Sequence, residues 1–186
     1  TGKALQHAWK ETEILLQTLN QYADGFVWNP FSPNTAALAL LRTPKTFKEY
    51  ADLIEKHAPD KLRLVKMGPY EEDEKKEWMD LVGGWLEGGG HGIVAVNTKM
   101  VPKEEVTRYS ASKDWGYQSA GKSGRFLKPY RERAVKDTRK AFPSAVIFAA
   151  GGIFDGEDAY NTFKFGANAV EGYTPYTFYM FGLVRE

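Results

Sequence analysis

Short apolar runs alternate along the chain with longer segments in which apolar residues recur every three or four positions. The short runs have the length of buried strands, and the longer segments have the period of amphipathic helices. The predicted strands are 25–28, 62–67, 92–96, 145–150 and 169–172. Predicted helices cover 4–22, 129–142, a segment opened by a Thr46–Glu49 capping box, one following the acidic residues 71–73, and one beginning near Asp155 or Gly156. Apolar strands separated by such helices are typical of an α/β fold with a parallel sheet covered on its faces.

The polar segment 29–35 directly follows the first predicted strand. It places Ser32 between Asn29 and Asn34, and flanking prolines restrict its backbone. The carboxamides offer donors and acceptors suited to a planar ligand that is rich in carbonyl and N–H groups. A proline-stiffened turn in which an asparagine caps a helix explains the same residues equally well.

Polar residues or glycines also end the other predicted strands. They are Lys66, Asn97 with Thr98, Gly151 with Gly152, and Tyr173 with Thr174. In a (β/α) barrel this edge of the sheet is the catalytic face, and a phosphate commonly binds after the last two strands. Glycine leaves backbone N–H groups unobstructed for such a phosphate, although a glycine pair can also simply form a tight turn.

Composition narrows the class of protein. The 186 residues suit one domain, 1–186, and 42% hydrophobic with 26% charged residues is ordinary for a globular protein. A net charge of +1 gives no electrostatic argument for nucleic acid. The absence of cysteine excludes disulfides and thiolate chemistry, and no apolar run approaches the roughly 20 residues of a membrane span.

Taken in order, these motifs resemble those of the flavin-dependent dihydroorotate dehydrogenases. That family has the pattern Asn-x-Ser-Ser-Pro-Asn-Thr, followed by Val-Lys, Thr-Asn-Thr, Gly-Gly-Leu-Ser-Gly, Gly-Gly-Ile and Tyr-Thr or Tyr-Ser. The corresponding segments here are 29–35, 64–66, 96–98, 120–124, 151–153 and 173–174. The likeness extends along essentially the whole chain.

The resemblance implies an FMN cofactor and a dihydroorotate stacked against its ring. It implies that Ser32 is the catalytic base, oriented with the help of Thr35, and that Lys66 is a cation beside the electron-rich edge of the flavin. The implied substrate ligands are Asn29, Asn34, Asn97 and Thr98. The implied cofactor ligands are Asn29, Lys66, Val96, Gly124, Gly151, Gly152, Tyr173 and Thr174. A serine base resembles that of the membrane-associated branch of the family, which uses a quinone.

The chain departs from the family pattern at several positions. Pro30-Phe31 replaces an aliphatic-serine pair, and the other departures are Val96 for threonine, Ala120 for glycine, Lys122 for leucine and Glu171 for glutamine. Residues 1–3 resemble the stretch after the family's third strand. We therefore expect a partial (β/α)8 TIM barrel, strands 4 to 8, with the first three units absent from this chain. Because five strands cannot close a barrel, the other half is expected from the same polypeptide or from another chain.

The expected function is FMN-dependent oxidation of dihydroorotate to orotate in pyrimidine biosynthesis, with quinone as the electron acceptor. The expected location is the surface of a bacterial or mitochondrial inner membrane, with cytoplasm or matrix as alternatives. A second hypothesis is a catalytically degenerate relative that serves as a structural subunit of a larger assembly. A third is a flavin barrel with another substrate, such as a dihydropyrimidine or dihydrouridine reductase, although those relatives usually rely on a cysteine.

The remaining charged and aromatic residues are interpreted as structural. The three histidines, His7, His57 and His91, are expected on the surface or in packing contacts. A basic cluster from Arg131 to Lys140 is interpreted as a solvated helix face, with a docking site for an anionic partner as the alternative. The polar segment 97–125 is too long for a plain connector, and its Lys99, Lys103, Arg108 and Lys113 could flank a lid or simply face solvent. The aromatic run 173–183 is interpreted as core or as a subunit contact.

Overall fold

The computed structural model describes residues 2–32, 35–105 and 118–179. Asn34, Arg108 and Lys113 therefore lie outside the described residues. The strands are β1 Gly25–Trp28, β2 Leu62–Met67, β3 Gly92–Ala95, β4 Lys99–Pro102, β5 Ser119–Lys122, β6 Val146–Ala150 and β7 Ala169–Glu171. The helices are α1 Gly2–Leu19, α2 Pro44–His57, α3 Lys75–Glu87, α4 Lys128–Ala141, α5 Gly156–Lys164 and α6 Thr174–Tyr179.

Five strands form one parallel sheet in the order β1-β2-β3-β6-β7. All four neighbouring pairs are parallel, which confirms the α/β prediction and the five predicted strands. Within the described residues β1 and β7 are the two edges of this sheet. Since every connection returns the chain to the same end of the sheet, the carboxyl ends of the five strands meet along one edge.

The main hydrophobic core lies between one face of this sheet and the helices. Val65, Ile93 and Ile147 point to that face from neighbouring strands and are fully buried. Val82 and Trp85 of α3 pack against them from the helix layer. Each side chain of this kind contributes about 1.5–3 kcal/mol when it is removed from water, and this core therefore holds the sheet and helices together.

Aromatic rings fill the part of this core next to β1. Trp28 is stacked on Tyr50 of α2 with ring centroids 4.1 Å apart and planes 7° apart. It also lies 5.9 Å from Trp85 of α3 and 4.9 Å from Phe47 of α2, centroid to centroid. The last residue of β1 is therefore held by two helices at once.

The opposite face of the sheet carries a smaller apolar cluster, formed by buried Leu64, Val94 and Ala150. Val27 shares this face, because it pairs in register with Leu64, yet 51% of Val27 is exposed. In a closed barrel this face would be the interior. On this face the side chains in the middle of the sheet are buried, whereas the side chain of Val27 on the edge strand β1 is exposed to solvent.

Two predictions about local sequence are wrong. The N-cap of α2 is Thr43, whose hydroxyl accepts from the Thr46 backbone N–H at 3.1 Å, and Pro44 occupies the first turn. Thr46 lies inside the helix and is buried. Arg131 is not on a solvated face, because its side chain is fully buried.

The polar segment 97–125 contains a two-stranded antiparallel hairpin of β4 and β5 in its described parts. Lys99, at the start of β4, forms an ion pair with Glu71 and donates to the Tyr130 hydroxyl at 2.6 Å. It therefore does not simply face solvent. Among the described residues no helix is both long and apolar enough to cross a membrane.

Candidate functional site

A cavity of about 300 Å³ lies at the carboxyl edge of the sheet. It is bounded by the ends of β2, β3, β6 and β7 and by the turn between β5 and α4. The predicted site residues that line it are Lys66, Val96, Asn97, Thr98, Gly124, Gly151, Gly152, Tyr173 and Thr174. Residues that are far apart in the sequence thus share one concave surface, as expected for strand ends of a parallel sheet.

Asn97 connects this cavity to the end of β1. Its Nδ2 donates to Asn29 Oδ1 at 3.1 Å and to the Phe31 carbonyl at 3.0 Å. Its Oδ1 accepts from the Thr98 backbone N–H at 2.8 Å. Both ends of the Asn97 carboxamide are therefore oriented by neighbours, and the segment that contains Ser32 is anchored beside the cavity.

The predicted catalytic residues are not themselves part of the cavity lining. Ser32 is half-buried, and no described residue hydrogen-bonds to its hydroxyl. Thr35 is exposed and precedes a short 3₁₀ helix, Ala36–Leu41, without capping it through its side chain. Their catalytic roles remain predictions.

Three glycines line the cavity with positive φ, at +101° for Gly124, +95° for Gly151 and +71° for Gly152. A Cβ at Gly152 would lie 2.6 Å from the backbone nitrogen of Lys128, and one at Gly151 would lie 3.1 Å from Leu127 Cβ. Both the conformation and the space therefore require glycine at position 152. Backbone N–H groups in such turns stay accessible to an anion.

Two features of the cavity wall point to polar ligands. Thr98 Oγ1 is buried and has no hydrogen-bond partner among the described residues. A buried hydroxyl without a partner is costly, so a ligand that supplies one would be favoured there. The hydroxyls of Ser123 and Thr174, which also line the cavity, lie 3.1 Å apart, and this contact joins the turn before α4 to the end of β7.

One ion pair crosses the cavity. Lys66 Nζ lies 3.8 Å from Glu171 Oε2, and the side chains are 28% and 42% exposed. Among the described residues no other carboxylate pairs with Lys66. The predicted cation of the site, Lys66, therefore has an acidic partner in Glu171.

Arg131 is the functional candidate that charge-based reasoning missed. It donates from Nη1 to the Gly151 carbonyl at 2.9 Å, directly behind the glycine turn. Its Nε and Nη2 have no hydrogen-bond partner among the described residues, although Nη2 forms an ion pair with Glu132 Oε1 at 3.6 Å. Burial lowers the pKa of the guanidinium. Helical spacing could have found it, because Arg131 lies on the same face as buried Ala134, Val135 and Thr138.

A carboxylate behind the same turn fixes the start of α5. Asp158 is 1% exposed, accepts from Lys128 Nζ at 2.5 Å and from the Phe154 backbone N–H at 3.0 Å. Burial by itself would raise the pKa of Asp158, but the two hydrogen bonds have the larger effect. The pKa of Asp158 therefore lies below its ordinary value. The carboxylate is therefore ionised and ties the loop after Gly152 to α4.

Comparison with known proteins gives a consistent result. The family model described as dihydroorotate dehydrogenase matches residues 3–184. A relative from Deinococcus radiodurans named dihydroorotate dehydrogenase (quinone) is 31% identical over 180 residues, which are 92% of this chain and 47% of that protein. A relative of the same name from a Nitratiruptor species is 26% identical over 182 residues, 97% of this chain and 49% of that protein.

A solved structure shows the same fold. The crystal structure of DHODH from Eimeria tenella in complex with ferulenol superposes with a TM-score of 0.81 at 27% sequence identity. The match covers 95% of this chain and 51% of that one. The chain thus spans about half the length of the curated relatives it matches, and its five-stranded sheet is a partial (β/α)8 TIM barrel. On this combined match of sequence, fold and strand-end residues, the chain belongs to the dihydroorotate dehydrogenase family.

Proposed function

We propose that the protein containing this chain binds FMN in the strand-end cavity and oxidises dihydroorotate to orotate in pyrimidine biosynthesis. The observation that carries the proposal is the cavity itself. It brings together every described residue predicted to contact the flavin except Asn29, which is hydrogen-bonded to Asn97 at the rim. The relatives named above are quinone enzymes, and we extend the proposal to quinone as the electron acceptor.

The residues present fit a phosphate-bearing flavin. The cradle of Gly124, Gly151 and Gly152 exposes backbone N–H groups where side chains would block them. Buried Arg131 adds a positive charge behind this cradle. The unpartnered Thr98 hydroxyl lines the same cavity, and a ring carrying carbonyl and N–H groups would satisfy it.

When bound, FMN would supply the acceptor for the hydride that leaves C6 of dihydroorotate and carries the two electrons of the oxidation. In this proposal Ser32 takes the proton from C5 of dihydroorotate, and Asn97 holds both the substrate ring and the segment that carries Ser32. An unperturbed serine is a weak base. Since no described residue accepts the Ser32 proton, we assign that role to solvent or to the other half of the barrel.

The other half of the barrel is part of the proposal. Large apolar side chains are exposed on α1, in the turn that follows it and on β1: Ile14, Leu15, Leu19, Tyr22 and Val27. An exposed apolar patch next to an unpaired strand edge is the signature of a surface that another element covers. We assign this cover to the remaining strands, supplied by the same polypeptide or by another chain. The intact mass of the purified polypeptide distinguishes these two sources.

The decisive experiment replaces the proposed base. In Ser32→Ala, bound FMN should be retained while its reduction by dihydroorotate, followed as loss of flavin absorbance, is abolished. Ser144→Ala makes the same chemical change at an exposed serine just before β6, at the opposite end of the sheet from the cavity, and should leave the rate unchanged. Unchanged flavin reduction in Ser32→Ala would remove Ser32 from the mechanism. Reoxidation of the reduced flavin by an added quinone then tests the proposed electron acceptor.

A second candidate function is a family member that has lost catalysis and serves as a structural subunit. The observation that favours it is the carboxylate of Glu171 beside Lys66, because it offsets the cation of the site. The two candidates differ in a simple property. The enzyme is yellow when purified, whereas the structural subunit, folded and complete, contains no flavin and binds none when FMN is added.

A further inference from the structure

Glu171 and Lys66 meet across the middle of the sheet. Lys66 lies on β2 and Glu171 ends β7, with β3 and β6 between them. Three strand spacings amount to about 14 Å, so the two side chains must reach toward each other above the intervening strands. Their charged atoms nevertheless lie 3.8 Å apart.

The sheet provides the space for this contact. Lys66 pairs in register with Val94, and Glu171 pairs with Ala150, so all four side chains project from the same face. Val94 and Ala150 are small and buried beneath the ion pair. The pair therefore lies above apolar side chains at the carboxyl edge of the sheet, and both of its residues line the cavity.

We propose that Glu171 lowers the reduction potential of the bound flavin by offsetting the charge of Lys66. This inference rests on the proposed function, in which FMN occupies the cavity that both residues line. A cation beside the flavin favours the reduced, more negative cofactor, and a carboxylate at the same place disfavours it. Glu171 thus acts through Lys66 and affects how readily the flavin is reduced.

The sequence supplies a near-isosteric test. Glu171→Gln removes the charge while it keeps the length and shape of the side chain. A nearby charge shifts the balance between two charge states by about tenfold or more. In Glu171→Gln we expect the protein's affinity for reduced FMN to rise about tenfold relative to its affinity for oxidised FMN. For a two-electron couple this change equals a rise in midpoint potential of about 30 mV.

The experiment uses the flavin-loaded protein, purified with whatever polypeptide completes the barrel. Midpoint potential is measured by spectrophotometric dye titration, and affinity for sulfite, which adds to electron-poor flavins, gives a second readout. Glu87→Gln is the matched control, because it breaks the Lys48–Glu87 ion pair of 3.5 Å on the outer helices. That control should move neither readout.

The outcomes separate the two proposals. A higher potential and tighter sulfite binding in Glu171→Gln, and equally in Glu171→Ala should the first variant fold poorly, support the inference. Bound flavin with an unchanged or lower potential overturns the role of Glu171 and leaves the proposed function standing. Failure of the unsubstituted protein to bind FMN overturns both.

Discussion

The glycine turn after β6 offers the sharpest test of the cavity. In Gly152→Ala the new Cβ would lie 2.6 Å from the Lys128 backbone nitrogen, at a φ of +71°. A left-handed conformation costs a residue with a Cβ about 1–2 kcal/mol, and overpacking against backbone costs about 1–3 kcal/mol. We therefore expect the free energy of unfolding to fall by about 2–5 kcal/mol.

The same substitution should weaken cofactor binding. Relieving the contact moves the backbone N–H groups that would face the phosphate, and each lost hydrogen bond to a charged group is worth about 1.5–3 kcal/mol. We expect FMN to bind about 10- to 100-fold more weakly, measured by titration of flavin fluorescence. Urea unfolding without FMN measures the structural part of the effect separately.

A glycine on α3 provides the control. A Cβ at Gly83 meets only Phe142 Cζ at 3.7 Å, which is ordinary contact, and the backbone there is helical. Gly83→Ala should therefore raise the free energy of unfolding by about 0.5–1 kcal/mol and leave FMN affinity unchanged. Equal stability and equal FMN affinity of wild type and Gly152→Ala would refute the reasoning about the turn.

Three further substitutions test other parts of the structure. Asn97→Leu removes the hydrogen bonds to Asn29 and Phe31, and it should slow flavin reduction by dihydroorotate at least about tenfold in stopped-flow measurements; an unchanged rate would contradict the anchoring role. The pKa of Asp158 is lowered from an ordinary value of 3.8, so its carboxylate stabilises the fold above that pH and loses this contribution as the pH falls below it. The difference in unfolding free energy between wild type and Asp158→Asn should accordingly shrink between about pH 7 and about pH 3, and a constant difference would argue against the assignment. Val27 is 51% exposed in this chain, but the other half of the barrel would cover it, so Val27→Asp should destabilise the complete barrel by about 1–3 kcal/mol in thermal or urea unfolding. Met100 is 44% exposed and serves as the control, because Met100→Asp should be nearly neutral.

The strands of the sheet could be predicted because burial on both faces makes them continuous apolar runs. Observed β1 and β2 have the predicted bounds, and the other three differ by one residue at one end. The meeting of Asn97 with the end of β1 followed from the same pattern, since parallel strands bring their carboxyl ends together. For these strands the sequence therefore predicts both where each strand lies and that its carboxyl end borders the cavity.

Other features depend on tertiary contacts that local sequence does not encode. The hairpin pairs β4, which is Lys-Met-Val-Pro, with β5, which is Ser-Ala-Gly-Lys, and neither shows the apolar alternation of a strand. The charge of Arg131 predicts a solvated position, but its helical spacing places it with the buried residues of α4. Pro44 in the first turn of α2 makes Thr43 the N-cap, in place of the predicted Thr46. The Lys66–Glu171 contact requires two side chains to cross intervening strands, a distance no spacing in the sequence reveals.

The stacked rings around Trp28 provide a spectroscopic probe of the end of β1. Trp28 and Trp85 lie close enough, at 5.9 Å between centroids, for their electronic transitions to couple. Near-ultraviolet circular dichroism should therefore carry a signal that depends on β1 staying seated against α2 and α3. Because Trp28 immediately precedes Asn29, that signal would register a shift of the strand end when a ligand arrives, even a colourless one.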